Sequence, residues 1–338
     1  MIIHYHTGAA LPSNAAKAVH VMKMCAALAR QGHEVTLFAK GDHHIGTEAI
    51  FRRYGVDHNF TLRRARNLPL PGMSGLWRIV ANAWAARRAD RPDLAYGRDP
   101  LGLLLATGTD TPQAFEAHQV PHLRAHIWAI RRLIRRPGFR GLVAISQGLK
   151  DDLLQAFPEL HDEQVWIAHD GADVPAQTAT PVQLPGRKDA VKIGYTGALH
   201  PGKGAAMMVE LARRLPAYDI HICGGTPDQI AALKRDDTPD NLHFHGHIDH
   251  ASLPGYLAAF DIVCAPYGKS ATIASGQDIS RWISPMKLFE YMAAHKPIIA
   301  SDLTVIREVL QHEHNALLAV PDNIEAWTAA VTRLADDP

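Results

Sequence analysis

Ser284-Pro285-Met286-Lys287-Leu288-Phe289-Glu290-Tyr291-Met292-Ala293-Ala294-His295-Lys296-Pro297-Ile298-Ile299-Ala300-Ser301-Asp302 reads as a helix start, a short helix and a buried strand. Ser284 suits a helix N-cap and Pro285 the first helical position. The pattern predicts a helix running to about Ala294, after which Pro297 opens an apolar strand to Ser301. First-turn backbone N–H groups have no helical partners, so they can receive an anion such as a diphosphate. Lys287 and Glu290 are three apart and share one helix face. Lys287 is suited to phosphate charge. Glu290, acceptor-only when ionised, is suited to the hydroxyl pair of a ribose. The plain alternative is a capped surface helix whose Lys–Glu pair contributes a few tenths of a kcal/mol.

The first half of the chain alternates strands and helices. Strands are predicted at Ile2–His6, Val35–Ala39, Leu94–Tyr96, Gln113–Glu116 and Gly141–Ile145. Helices are predicted at Asn14–Arg30 (capped by Ser13), Leu76–Arg88, Pro100–Thr107, Arg124–Arg135 and Gln147–Ala156. The stretch from Gly41 to Pro71 reads as irregular. A Pro-, Thr- and Ala-rich segment follows, and the alternation then restarts at Val191. It continues through strands at Asp219–Cys223, Leu242–His245 and Ile262–Ala265, the quoted segment, and terminal helices at Ile306–Leu310 and Ile324–Leu334. Strands alternating with helices imply parallel, doubly wound sheets. The expected organisation is an α/β chain of two Rossmann-like domains, 1–172 and 189–338, joined by a linker at 173–188. A length of 338 residues also favours two cores over one.

The composition, 47% hydrophobic and 20% charged, is that of a globular protein. No apolar stretch approaches a membrane span, and the first residues enter a strand at once. Three widely separated cysteines, Cys25, Cys223 and Cys264, fit reduced core thiols in a cytoplasmic protein. The net charge of +1 hides an asymmetry. Residues 1–150 hold 21 Lys and Arg against 9 Asp and Glu, a balance of +12; residues 151–338 hold 14 against 25, a balance of −11. The arginines cluster at Arg63, Arg64 and Arg66, at Arg78, Arg87, Arg88 and Arg91, and at Arg131, Arg132, Arg135 and Arg136. Such a surface suits an anionic membrane face or a phosphate-linked acceptor. No nucleic-acid motif accompanies it, so nucleic acid is not an expected partner.

The Ser284–Asp302 segment resembles the donor-binding motif of family-4 glycosyltransferases, which have the GT-B fold. Seven further pieces match in order: Gly32-His33-Glu34-Val35-Thr36; Glu116-Ala117-His118; Val143-Ala144-Ile145-Ser146; His169-Asp170-Gly171-Ala172-Asp173; Gly194-Tyr195-Thr196-Gly197 with Lys203-Gly204; Phe244-His245-Gly246-His247-Ile248; and Asn315-Ala316-Leu317-Leu318. The resemblance covers nearly the whole chain. It implies two Rossmann-like domains facing a central cleft, with the acceptor on the first and a nucleotide-diphosphate sugar, UDP- or GDP-linked, on the second.

The resemblance also implies roles for single residues. Gly8 begins a first loop that faces the substrates, with Ser13, Asn14 and Lys17 on the acceptor side. His118 lies against the donor sugar near the reacting carbon. Gly197, Lys203 and Lys287 take the diphosphate, together with Ser284, Pro285, Met286 and Leu288 of the helix start. Gly246, His247 and Ile248 hold the base with backbone groups, and Glu290 the ribose. His118, Lys203 and Glu290 are the expected catalytic set. Two departures stand out. Ala198 occupies a position where the family commonly has Arg, and Trp282 one where it commonly has a first Glu. Asp278 is a possible substitute for that Glu, and Gly268–Ile283 a loop that could close on the donor. Relatives usually end on a long helix crossing back to the first domain; here that element is expected to be missing or rebuilt from Ile324–Leu334.

The histidines His243, His245, His247 and His250 could form a transition-metal set, but no carboxylate-rich shell accompanies them, and exposed strand histidines are the plainer reading. No Asp-x-Asp pair is placed for a divalent ion. The expectation is therefore a retaining, metal-independent, cytoplasmic transferase that uses a nucleotide sugar, has no further cofactor, and acts on a glycan, lipid-linked or small-molecule hydroxyl acceptor. It would sit free or peripherally at the inner membrane face. Two rivals remain: a sugar-nucleotide 2-epimerase, and a catalytically silent sugar-nucleotide-binding protein.

Overall fold

The computed structural model describes all residues except 42–43, 66–73, 175–178, 235–236, 272–277 and 338, and the side chains of 74–76. The chain divides into two units, Met1–His169 and Asp170–Pro338. No described helix is long and apolar enough to cross a membrane.

The first unit contains strands β1 (Ile2–Leu11), β2 (Glu34–Gly41), β3 (Thr61–Ala65), β4 (Leu94–Gly97), β5 (Gln113–Ala117), β6 (Phe139–Ala144) and β7 (Val165–Ile167). Its helices are α1 (Ala16–Arg30), α2 (Thr47–Tyr54), α3 (Ser74–Arg87), α4 (Pro100–Ala106), α5 (Arg124–Ile134) and α6 (Gln147–Ala156). The strands form one parallel sheet in the order β3-β2-β1-β4-β5-β6-β7. The order reverses between β1 and β4, which makes the carboxyl ends of those strands the place where a ligand crevice opens. β1 and β5 are buried along most of their length, as strands inside a parallel sheet are, while the edge strands β3 and β7 keep exposed residues.

Three expectations for this unit are corrected. The Gly41–Pro71 stretch is not irregular where it is described: it holds α2 and β3. Arg52 and Arg53 mask an amphipathic helix whose Ile50, Phe51 and Tyr54 are buried and whose end is closed by Gly55 in the left-handed region. Ser13 does not cap α1, which starts at Ala16 behind Ala15. Instead Tyr54 of α2 pins the Ser13 backbone, its hydroxyl accepting from the Ser13 N–H and donating to the Ser13 carbonyl, both at 2.8 Å. Gly8 lies within β1, which resumes pairing with β2 at Ala10 after an irregularity, and is not the start of a loop.

The second unit repeats the design. Its strands are β8 (Lys192–Thr196), β9 (Asp219–Cys223), β10 (Leu242–Gly246), β11 (Ile262–Ala265), β12 (Ile298–Ser301) and β13 (Leu317–Ala319). Its helices are α7 (Ala205–Arg214), α8 (Pro227–Leu233), α9 (Leu253–Ala259), α10 (Met286–Ala293) and α11 (Ile324–Asp336). The parallel sheet runs β10-β9-β8-β11-β12-β13, reversing between β8 and β11. One face packs Ile193, Tyr195, Met208, Ile220, Trp327 and Val331; the other packs Phe260, Val263, Leu288, Tyr291, Ile298 and Ile306.

Here too the structure revises details. Residues Ile306–Leu310 form turns, not a helix. α10 begins one residue later than expected, with Pro285 at the cap and no side-chain cap bond. Ser284 is buried and its Oγ accepts from the Asp170 N–H at 2.8 Å, so it fastens the start of this unit to the helix entry. At the other end His295 takes a positive φ of 52° and lets the chain turn into β12. Next to it Lys296 donates to the carbonyls of Ala258 and Phe260 at 3.0 and 2.6 Å, closing the end of α9.

Candidate active site

The carboxyl ends of β8 and β11 frame the principal site. β8 leads into Gly197, whose φ is +136° and whose N–H donates to the Cys223 carbonyl at 2.9 Å. Only glycine is at ease there, and its missing side chain leaves room for Lys287: a Cβ would stand 3.0 Å from the Lys287 Nζ. α10 is held over this point by Tyr291. Its hydroxyl accepts from the Thr196 N–H at 2.9 Å and lies 3.3 Å from the Cys264 carbonyl, to which it donates. The helix is therefore keyed to both strands of the switch point.

Lys287 is buried, 8% exposed, and its Nζ has no hydrogen-bond partner. Its ammonium lies 3.8 Å from the ring centre of Tyr195 and 5.2 Å from that of Tyr267. Aromatic faces soften a buried cation without neutralising it. Lys203 approaches the same Tyr267 ring at 5.3 Å. Burial first, and then the Lys203 charge, push the Lys287 amine well below its ordinary value, against the pull of Glu290. Burial lowers Lys203 as well. Two ammonium groups thus converge beside a bare Gly197, an arrangement that an anion between them would stabilise.

The rest of the expected donor set assembles around this pair in part. Gly204 caps α7 with a φ of +102° and packs against Pro266, where a Cβ would come 2.4 Å from the carbonyl oxygen. The Gly246 carbonyl accepts from the Gly224 N–H, and Gly224 in turn sits against the Gly197 carbonyl, so the ends of β8, β9 and β10 are joined. Ile248 is half-buried, while His247 is exposed and lies 3.6 Å from Asp249. Glu290 is one turn beyond Lys287 on α10, with its Oε1 3.4 Å from His250 Nε2. Pro285 and Leu288 are buried and Met286 half-buried. Asp278 is spent on its own loop: Oδ1 accepts from the N–H groups of Ala271 and Ser280 at 3.1 and 2.9 Å. Most of the expected closing loop, 272–277, lies outside the described residues.

In the first unit, His118 stands just past the end of β5. Its Nε2 is 2.5 Å from Glu116 Oε1, which His20 Nε2 also approaches at 3.2 Å. Tyr5 donates to the other carboxylate oxygen at 2.9 Å. Burial would push the Glu116 carboxyl up, but the His118 hydrogen bond and the neighbouring His20, His118 and Arg98 hold it well below the usual carboxylate range. Burial lowers both imidazoles, His20 to about 3. Among the described residues this trio comes nearest to a metal-ligand set, its ligand atoms lying within 4.8 Å of one another. Both Nε2 atoms converge on one oxygen, and the Arg98 charge acts on the site. A hydrogen-bonded network accounts for that geometry. Asn14 accepts from Arg53, and Lys17 is exposed on the first turn of α1.

The strand histidines are rearranged relative to expectation. His243 and His245 are half-buried, not exposed. They pack against the buried His221, whose Nδ1 is 3.1 Å from His245 Nε2. His247 and His250 turn elsewhere. Sequence reading missed Tyr195, Tyr267 and Tyr291 as the frame of Lys287, and Glu116 as the anchor of His118. A buried tyrosine on a strand (Tyr195), after one (Tyr267) or on a helix face (Tyr291) reads as core, and only the spatial neighbourhood of β8 and β11 shows what the three surround.

Two family descriptions match the chain in succession: Glycosyltransferase Family 4 over residues 18–175, and Glycosyl transferases group 1 over residues 190–337. The phosphatidyl-myo-inositol mannosyltransferase of Mycolicibacterium smegmatis is 21% identical over 337 residues, 94% of this chain and 80% of that protein. Among solved structures, HepE of Anabaena in complex with UDP and glucose superposes with a TM-score of 0.69 at 17% identity, covering 99% of this chain and 90% of that one. Sucrose-phosphate synthase from Thermosynechococcus elongatus gives 0.71 at 17% identity, over 100% and 90%. With two parallel-sheet Rossmann-like units and the family's motifs at the switch point of the second, this chain is a glycosyltransferase with the GT-B fold, and it belongs to family 4.

Proposed function

We propose that the protein is a retaining, metal-independent glycosyltransferase. It takes a nucleoside-diphosphate sugar, UDP- or GDP-linked, in its second unit and passes the sugar to a hydroxyl of a glycan or lipid-linked acceptor. The observation that carries this reading is the buried, unpartnered Lys287 ammonium beside Gly197, with Lys203 close by. A diphosphate placed there meets two ammonium groups and the first turn of α10, which is where charge develops as the leaving group departs. Glu290, three residues on, is assigned to the ribose. Solved relatives are described with UDP and with UDP-glucose, which supports this donor class. A curated relative acts on phosphatidyl-myo-inositol and a structural neighbour is a lipopolysaccharide galactosyltransferase, which supports glycan or glycolipid assembly. Nothing favours the epimerase.

The test is incubation of the protein with labelled UDP- and GDP-sugars. Slow donor hydrolysis with release of the nucleoside diphosphate supports the transferase. Formation of an epimer, or tight binding without turnover, would replace it by one of the two rivals.

A further inference from the structure

We propose that Glu116 is a positioning residue that holds His118 in the neutral, Nε2-protonated tautomer, so that Nδ1 presents a lone pair to a hydroxyl of the substrate. The ligand half of this statement rests on the transferase reading above.

Glu116 is 3% exposed on β5. An ionised carboxylate can only accept, so every polar group against it must donate. Tyr5 donates to Oε2 at 2.9 Å, and the Tyr96 hydroxyl also bonds to Glu116. On Oε1 the two partners are His118 Nε2 and His20 Nε2. Each must therefore carry its proton on Nε2. Their rings meet edge to face with centres 4.8 Å apart, which fixes their orientations. A second proton on His118 would add a buried cation close to Arg98, and burial already disfavours it. What remains is one defined species: Nε2–H toward Glu116, Nδ1 unprotonated.

In an imidazole the partner of one nitrogen decides what the other can do. No hydrogen bond joins Nδ1 of His118 to a described residue, and the side chain keeps 16% exposure. Nδ1 can accept from a hydroxyl and cannot donate to one. His118 is thus restricted to a substrate group that brings its own proton. Glu116 is the residue that imposes the restriction, with Tyr5, Tyr96 and His20 holding the carboxylate still.

Glu116→Gln is isosteric but brings an amide that donates. It should turn His118 toward the Nδ1–H tautomer, as replacing a buried carboxylate behind a histidine does in a catalytic triad. Nitrogen-15 histidine spectra of the wild type at pH 7 should show His118 neutral and protonated on Nε2, and Glu116→Gln should shift that proton to Nδ1. The variant's kcat should fall about tenfold or more. The Kd for the nucleoside diphosphate, bound by the other unit, should change less than about twofold. In a His118→Ala background, Glu116→Gln should change kcat less than about twofold, because its effect runs through the imidazole. A wild-type His118 protonated on Nδ1, or on both nitrogens, overturns the proposal even if no variant folds. An equal kcat loss in the His118→Ala background also overturns it, showing a structural role. Absence of glycosyl transfer by the wild type from every nucleotide sugar would instead strike the transferase reading and the hydroxyl as ligand, while leaving the tautomer measurement to decide the role of Glu116.

Discussion

Lys287 carries opposite consequences for stability and binding. Its ammonium is disfavoured by burial, so its pKa in the fold lies well below the ordinary 10.5. Between those two values the unfolded chain binds more protons than the folded one, and stability from this group rises with pH across that window. Lys287→Met keeps the length of the side chain and removes the charge. It should melt higher than the wild type at pH 7, and the difference should close as pH approaches 10.5, a trend that melting curves at several pH values would reveal. The same variant should lose affinity for the nucleoside diphosphate by about 1.5–3 kcal/mol, the range for a hydrogen bond to a charged group. A variant that melts lower yet binds UDP and GDP normally would remove Lys287 from the phosphate site. Lys203→Ala should weaken the nucleoside diphosphate more than the bare nucleoside in calorimetry, since its assigned partner is phosphate. Equal losses for both ligands would point to a folding effect.

At the scale of elements, α5 shows how far periodicity carries and where it stops. The helix was legible, and so was its cationic face. Its end was legible to within one residue, α5 closing at Ile134; what the sequence did not show is the task of Arg136 just beyond it. There the guanidinium donates to the Leu104 carbonyl at 2.9 Å and to Thr107 Oγ1 at 2.9 Å, joining α5 to α4. Removing it takes a donor from the Leu104 carbonyl, so Arg136→Ala should cost about 1–3 kcal/mol in denaturant titration. Arg132→Ala, on the exposed face, should stay within about 0.5 kcal/mol of the wild type. The same limit explains the other misses. Strands β3, β7 and β13 are short, and their membership in a sheet is a fact about neighbours. Ser13 and Ser284 have cap chemistry, but Tyr54 and Asp170, distant in sequence, claim their backbone or side chain. Lys287 was legible because helix spacing alone places it in a first turn. Glu116 was not, because a buried carboxylate in a strand gains meaning only from the histidines that reach it.

At the scale of the whole molecule, charge and aromatic exposure favour an anionic membrane surface for the first unit. The balance of +12 in residues 1–150 comes with three exposed tryptophans, Trp77, Trp84 and Trp128. Trp128 sits on α5 among Arg124, Arg131, Arg132 and Arg135, all exposed, while Ala129, Ile130 and Leu133 face the core. On α3, Trp77, Val80 and Trp84 fall on one stripe, and the Arg88 guanidinium lies 3.3 Å from the Trp84 ring centre. Exposed tryptophan beside arginine is the chemistry of the headgroup region, where an indole ring is half wetted and a cation meets lipid phosphate. Arg131 and Arg135 are partly occupied by Glu159, each at 3.5 Å, so Arg124 and Arg132 should contribute most. Each cation near a charged bilayer is worth about 1 kcal/mol and fades within a Debye length. Flotation with phosphatidylserine vesicles should therefore show binding at low salt that falls steeply as salt rises. An Arg124→Glu, Arg132→Glu variant should bind less at every salt concentration, and Trp128→Ala should weaken a component that salt does not remove. Transfer to a soluble acceptor should persist in all three proteins and in EDTA, because the diphosphate is assigned to lysines of the other unit. If the wild type fails to float at low salt, the surface is merely solvated. The donor-site assignment would be unaffected, since it depends on Lys203, Lys287 and Glu290, none of which belongs to this face.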